Sequence, residues 1–269
     1  MNFATKLTQA SRQNRSLLCV GLDPDPDLMP GSTAVLDFNK AIIEATSDLV
    51  CAYKLNFAFY EALEDNGFQV LKQTVEHIPD YIPVIGDAKR GDIGNTARAY
   101  AKAIFTNFNF DATTVNPYLG FDSIEPFSQY HDRGVFVLCR TSNAGAGDFQ
   151  SLQARTDGGH RPLFEIVADK VAQWNSHGNL GLVVGATYPD ELKQIRRSHP
   201  DMLLLIPGIG AQGGDLAATV RNGVDSNGER AIINSSRQVI FASPGKDFAR
   251  AARQAASELR DQINLYLSP

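Results

Sequence analysis

Eight short apolar runs, separated by stretches of helical spacing, constrain this 269-residue chain more than any other feature. They are Leu17–Leu22, Val50–Leu55, Pro83–Ala88, Ala112–Asn116, Gly134–Cys139, Leu180–Gly185, Met202–Ile206 and Ala231–Asn234. Each has strand length and is apolar nearly throughout, as in strands buried on both faces. Between them, apolar residues recur every three or four positions. The clearest sets are Ala97, Tyr100, Ala101, Ile104 and Phe108, and Ala252, Ala255, Leu259, Ile263 and Tyr266. This alternation predicts a (β/α)8 TIM barrel, with a doubly wound open sheet as the competing architecture. No linker or low-complexity tract interrupts it, so residues 1–269 are expected to form a single domain. Phe3, Leu7 and Ala10 predict a short N-terminal helix running straight into the first strand. That reading is preferred to a targeting segment, although Lys6, Arg12 and Arg15 precede Asp23 without an intervening acid.

Composition removes several function classes. A formal net charge of −5 argues against a nucleic-acid or membrane-surface binder. No apolar stretch approaches the ~20 residues of a membrane-spanning helix. A chain of this size buries a large core without disulfides or metals. Cys19, Cys51 and Cys139 lie in apolar runs without CxxC spacing and read as buried thiols of a reducing compartment, so the expected location is the cytoplasm. His77, His131, His160, His177 and His199 show no paired ligand spacing. Asp23-Pro24-Asp25-Pro26-Asp27 lacks the spacing of a calcium loop and reads as a solvated turn with one functional acid, Asp23. No nucleophile elbow or Walker A motif occurs.

Polar residues gather where the runs end. The first ends at Asp23, the second at Lys54 with Asn56, and the third at Asp87 and Lys89. The fifth leads into Arg140-Thr141-Ser142-Asn143, the seventh into the stretch from Pro207 to Gly214, and the eighth into Ser235-Ser236-Arg237. In a barrel these C-terminal strand ends share one mouth, where active sites of this fold lie. Within Asp87-Ala88-Lys89-Arg90-Gly91-Asp92, a period of two puts Asp87 and Lys89 on one face, and Asp92 adds a second carboxylate on the following turn. Two carboxylates around an ammonium at a buried strand end are costly unless they satisfy one another, which marks a site.

The loops after strands seven and eight are the usual phosphate position in such barrels. Gly208, Gly210, Gly213 and Gly214 allow close backbone approach to an anion, and Arg237 supplies a planar charged fork. The glycine-rich stretch Asn143–Gly159 is expected to be a long mobile loop and a candidate lid.

Taken together, these residues resemble the orotidine 5′-phosphate decarboxylase family, in its longer bacterial branch. The carrying motifs are Asp87-x-Lys89-x-x-Asp92-Ile93 with Thr96, the Lys54-Leu55-Asn56 strand end, Leu22-Asp23-Pro24, Val115-Asn116-Pro117-Tyr118, the stretch from Pro207 to Gly214, and Arg237. The resemblance implies a barrel homodimer that decarboxylates orotidine 5′-monophosphate to uridine 5′-monophosphate without cofactor or metal. By position it implies that Lys89 protonates C6 of the pyrimidine, with Asp87 beside the substrate carboxylate. Asp92 and Thr96 would enter from the partner subunit, next to Ile93, and Lys54 and Asp23 would hold the ribose. Ser142 would contact the pyrimidine, and Pro207, Gln212, Gly213, Ser236 and Arg237 would line the phosphate end. One departure is Ser236, where many members carry glycine.

Other readings stay open at this point. Lys89 as a Schiff-base nucleophile is disfavoured because flanking acids keep its amine charged. A metal-dependent sugar-phosphate decarboxylase or synthase with a similar motif, and a non-enzymatic phosphate-binding barrel, are the others.

Overall fold

The structure, a computed structural model, describes residues 1–31, 33–210 and 213–267. The described residues close a parallel barrel: β1 (Leu18–Gly21), β2 (Ala52–Asn56), β3 (Val84–Arg90), β4 (Ala112–Val115), β5 (Gly134–Arg140), β6 (Leu180–Val184), β7 (Leu203–Pro207) and β8 (Ala231–Ser235). Every predicted strand lies within two residues of its expected bounds. The open-sheet alternative fails because β1 pairs with β8 as well as with β2, in the registers Cys19 to Asn234 and Cys19 to Ala52. Helices between successive strands cover the outside, which is why the strands needed no polar face.

The core has two compartments. Inside the barrel, Cys19, Ala52, Ile85, Ala112, Phe136, Val183, Leu205 and Ile232 fill the lower and middle levels. The N-terminal helix Phe3–Asn14 closes the bottom, with Asn2 capping it through the Thr5 N–H and Phe3 packed edge-on against Phe136 at 5.7 Å. Phe3, Leu7 and Ala10 are buried as their spacing predicts. The larger compartment lies between sheet and helices. There the helix Gly94–Lys102 buries Ala97 and Ala101 and continues into a wider π turn through Asn107. The C-terminal helix Phe248–Leu267 buries Ala252, Leu259 and Ile263, with Ala256 in place of the expected Ala255. All three cysteines are buried free thiols. Burial pushes the Cys19 thiol up to about 12, which keeps it neutral.

The stretch Asn143–Gly159 corrects the sequence reading. It is not a structureless loop. A 3-10 turn at Ala144–Ala146, a helical turn at Gly147–Gln150 and an antiparallel hairpin of Gln153–Thr156 with Gly159–Pro162 fold it against the mouth. Asp157-Gly158 forms the two-residue connection of that hairpin, a pairing that suits such turns. No helix among the described residues is long and apolar enough to cross a membrane.

Candidate active site

The C-terminal strand ends surround a cavity of about 600 Å³. Its floor is apolar on one side, at Leu138, Val183 and Leu205, and ionic on the other, at Asp23, Lys54, Asp87 and Lys89. The four ionic groups form a row of alternating sign. Lys54 Nζ lies 3.8 Å from Asp23 Oδ1 and donates to Asp87 Oδ2 at 3.0 Å. Lys89 Nζ donates to Asp87 Oδ1 at 2.8 Å. Thr114, on β4, donates its hydroxyl to the same oxygen at 2.8 Å. Asp87 therefore holds three donors, the arrangement that makes a buried carboxylate tolerable.

Burial and charge oppose each other here, and charge wins. Burial alone would raise the Asp87 pKa, but Lys54 and Lys89 hold it well below the usual carboxylate range. Burial likewise disfavours charged Lys54, yet Asp23 and Asp87 lift its pKa above the ordinary lysine value. Both groups are thus ionised at neutral pH. Lys54 is 4% exposed, whereas half of the Lys89 side chain faces the cavity and solvent.

Asp87 and Lys89 reach the same mouth by a less regular route than simple alternation. The β3–β4 register shifts between Gly86 and Arg90, and Lys89 takes φ +46°, an uncommon conformation for a non-glycine residue. Its backbone N–H donates to Thr114 Oγ1 at 2.9 Å, so Thr114 fixes both the lysine backbone and the aspartate that meets its ammonium. Such conformations persist where surrounding contacts over-determine them, often at functional sites.

Eight of the thirteen residues to which the resemblance gives a site role line the cavity: Asp23, Lys54, Asp87, Lys89, Ser142, Pro207, Ser236 and Arg237; Asn56, Thr141, Asn143 and Gly208, from the same strand ends, line it too. Asp92, Ile93, Thr96 and Gly213 do not. The first three sit at the start of the helix Gly94–Lys102, outside the lining of the chain's own cavity, and Ile93 is 52% exposed. Asp92 accepts the Ile93 N–H and makes no ion pair among the described residues. Gln212 lies outside the described residues. Arg237 opens the short helix Arg237–Ile240 and has no ion pair among the described residues. Opposite it, Gly208 and Gly210 take φ +109° and +83°, which allows the β7 loop to fold back so that Gly214 N–H reaches Gly208 O. Ser236 takes φ −119°, so glycine is not required there; its hydroxyl donates to Gly21 O at 3.0 Å across the β8–β1 seam.

Several cavity residues escaped the sequence reading. Thr114 was hidden inside an apolar run. Asn234 lines the cavity from β8, and its Oδ1 finds no donor among the described residues. Phe149 and Gln150 come from the insertion that composition marked as loop.

A closed (β/α)8 barrel with an ionic row and an arginine around one mouth defines the class: a barrel protein with the layout of an enzyme acting on a small anionic ligand. The comparison with known proteins is specific. The chain belongs to the orotidine 5′-phosphate decarboxylase / HUMPS family, whose family model matches residues 16–254. A relative in Dehalococcoides mccartyi, named orotidine 5′-phosphate decarboxylase, is 56% identical over 266 residues, covering 99% of this chain and 98% of the relative. One of the same name in Ralstonia pickettii is 50% identical over 274 residues, covering 99% of each. The solved structure of Leishmania donovani OMP decarboxylase superposes with a TM-score of 0.89 at 40% identity, covering 100% of both chains.

Proposed function

We propose that this chain decarboxylates orotidine 5′-monophosphate to uridine 5′-monophosphate, the last step in making pyrimidine nucleotides, as a cytosolic enzyme whose residues 1–269 form one catalytic unit. The observation that carries the proposal is the Asp23–Lys54–Asp87–Lys89 row at the cavity floor, in a chain 56% identical to a protein named for that reaction.

In this reading the C6–carboxylate bond breaks, carbon dioxide leaves, and the electron pair left on C6 takes a proton from the Lys89 ammonium. Lys89 then regains a proton from solvent. The C6 lone pair lies in the ring plane, where resonance cannot disperse it, so a fixed cation is the available stabiliser. Asp87 aims that cation by accepting from it at 2.8 Å, and lies where a substrate carboxylate would be crowded. At the 2.8 Å of the Lys89–Asp87 pair, a unit-charge interaction at an effective dielectric near 20 is about 6 kcal/mol before solvent screening. Enzymatic barrier reductions run from roughly 8 to 23 kcal/mol, so this contact is one part of the mechanism. The rest is assigned to binding away from C6: Lys54 and Asp23 at the ribose, Ser142 at the pyrimidine, and Pro207, Gln212, Gly213, Ser236 and Arg237 around the phosphate. No cofactor or metal takes part.

The homodimer is part of the proposal. Asp92 and Thr96, with Ile93 beside them, would complete the neighbour's site. Their position off the chain's own cavity supports this. So does the exposed apolar surface beside them, where Tyr118 and Leu119 are 84% and 50% exposed on the adjoining β4 loop.

The test is loss of orotidine 5′-monophosphate absorbance with wild type and Lys89→Ala. Wild type is expected to turn over and the variant to stay folded and inactive. An active Lys89→Ala enzyme would refute the assigned role. The family model also covers HUMPS proteins. A chain inert on this nucleotide but active on a sugar phosphate, and silenced by EDTA, would favour the metal-dependent reading.

A further inference from the structure

We propose that Gln150, backed by Arg140, is a positioning residue that clamps the Thr141–Asn143 segment into its binding shape. The inference rests on the decarboxylase reading for its kinetic consequence, though the clamp itself is a matter of geometry.

The carboxamide of Gln150 meets Thr141 at two points. Its Oε1 accepts the Thr141 backbone N–H at 2.9 Å, and its Nε2 donates to Thr141 Oγ1 at 2.8 Å. Having accepted that bond, the Thr141 hydroxyl uses its own proton toward Asn143 Oδ1 at 2.7 Å. The bonds therefore run in one direction, from Gln150 through Thr141 to Asn143, and span Ser142. The Ser142 carbonyl is held from the other side by the Thr187 hydroxyl at 3.2 Å. Gly185 makes room for it: a Cβ there would lie 2.7 Å from the Ser142 backbone N and Cα. Thr141, Ser142, Asn143 and Gln150 all line the cavity.

Arg140 fixes the clamp. It is 3% exposed, its guanidinium lies 3.6 Å from the Tyr188 ring centroid, and Glu191 is 3.5 Å away. Its Nη1 donates to Gln150 Oε1 at 3.4 Å, so the acceptor that takes the Thr141 N–H also faces a permanent cation. A buried arginine needs such partners, and here they come from two segments: the insertion, and the β6 loop with its following helix. Gln150 is thus where the folded insertion is tied to the barrel.

The kinetic consequence follows from orientation. Releasing a contact segment by about an ångström costs up to ~100-fold in rate. Gln150→Ala is expected to lower kcat/KM about tenfold or more, chiefly through KM, with the melting temperature little changed. Gln150→Glu keeps the acceptor toward Thr141 N–H and Arg140 but loses the Nε2 donor, so it should recover part of the loss. Combined with Ser142→Ala, Gln150→Ala should add little, because both act through Ser142. A readout free of turnover accompanies these: hydrogen exchange of the Thr141–Asn143 amides should speed up in Gln150→Ala while β-strand amides stay protected. Additive losses in the double variant would mean direct substrate contact and would overturn the proposal, as would unchanged exchange at Thr141. A wild type inert on the nucleotide, with exchange at Thr141 still accelerated in Gln150→Ala, would sink the decarboxylase reading and support the clamp.

Discussion

Replacing Asp87 by asparagine removes one charge from the ionic row while keeping the side chain's shape. Lys54 loses its nearer counter-charge, at 3.0 Å, and keeps Asp23 at 3.8 Å. At an effective dielectric near 20 these attractions are about 5.5 and 4.4 kcal/mol, so more than half of what holds the buried ammonium disappears. The Lys89 pair adds about 1 kcal/mol at most, since half of that side chain is exposed. Breaking a buried pair on one side typically costs about 3–5 kcal/mol after relaxation. With an unfolding entropy of roughly 0.6 kcal/mol/K for a chain of this size, the melting temperature should fall by about 5–9 °C. Differential scanning fluorimetry measures this directly. On the functional side, kcat/KM for orotidine 5′-monophosphate should drop at least a thousandfold, about 4 kcal/mol of transition-state stabilisation. A variant with unchanged or raised melting temperature and wild-type kcat/KM would show that the row neither supports the fold nor the chemistry.

The pH dependence of that difference has a definite sign. The depressed pKa of Asp87 gives stability that is complete above about pH 4 and lost on acidification; the raised pKa of Lys54 gives stability complete below about pH 10 and lost above it. The gap between wild type and Asp87→Asn in thermal melts should therefore stay constant from about pH 5 to 9 and shrink below about pH 4. Mixing Asp92→Ala chains with Lys89→Ala chains should restore about a quarter of wild-type activity if dimers form at random with shared sites; no recovery after verified subunit exchange counts against sharing. Gly185→Ala should impair substrate binding, read as a raised KM, because its methyl group would press on the Ser142 backbone. Arg196 donates to the carbonyls of Gly223, His199, Pro200, Met202 and Arg230, far from the mouth. Arg196→Met should lower stability by about 3 kcal/mol in chemical denaturation and leave kcat per folded molecule intact.

The barrel was legible because strands buried on both faces leave an apolar signature that solvent-facing structure does not blur. The ionic side of the mouth was legible for a related reason: Lys54 and Asp87 interrupt apolar runs, and such interruptions are costly enough to be informative. Thr114 left no such mark, since threonine suits a strand whether or not its hydroxyl has a task. The conformation of Lys89 was equally silent, because it depends on a register shift set by the neighbouring strand. The insertion was misread for a different cause. Its glycines outweighed the Asp157-Gly158 pair, which with the flanking residues signals a hairpin. The tie between Arg140 and Gln150 joins residues ten apart through a folded turn, and nothing in the local pattern of either announces the other.

The seam at which Ser236 meets Gly21 bears on how the protein is made. These two residues are 215 positions apart, and until β8 emerges from the ribosome β1 has no partner on that side. A nascent chain holding β1 to β7 therefore carries two unsatisfied sheet edges, at β1 and at β7, both built from apolar residues. At synthesis rates of about 5–20 residues per second, that exposed state lasts seconds. The same closure that leaves the finished barrel without a free edge makes the unfinished one prone to pair with other chains, and truncation before β8 should yield aggregates instead of a smaller folded protein.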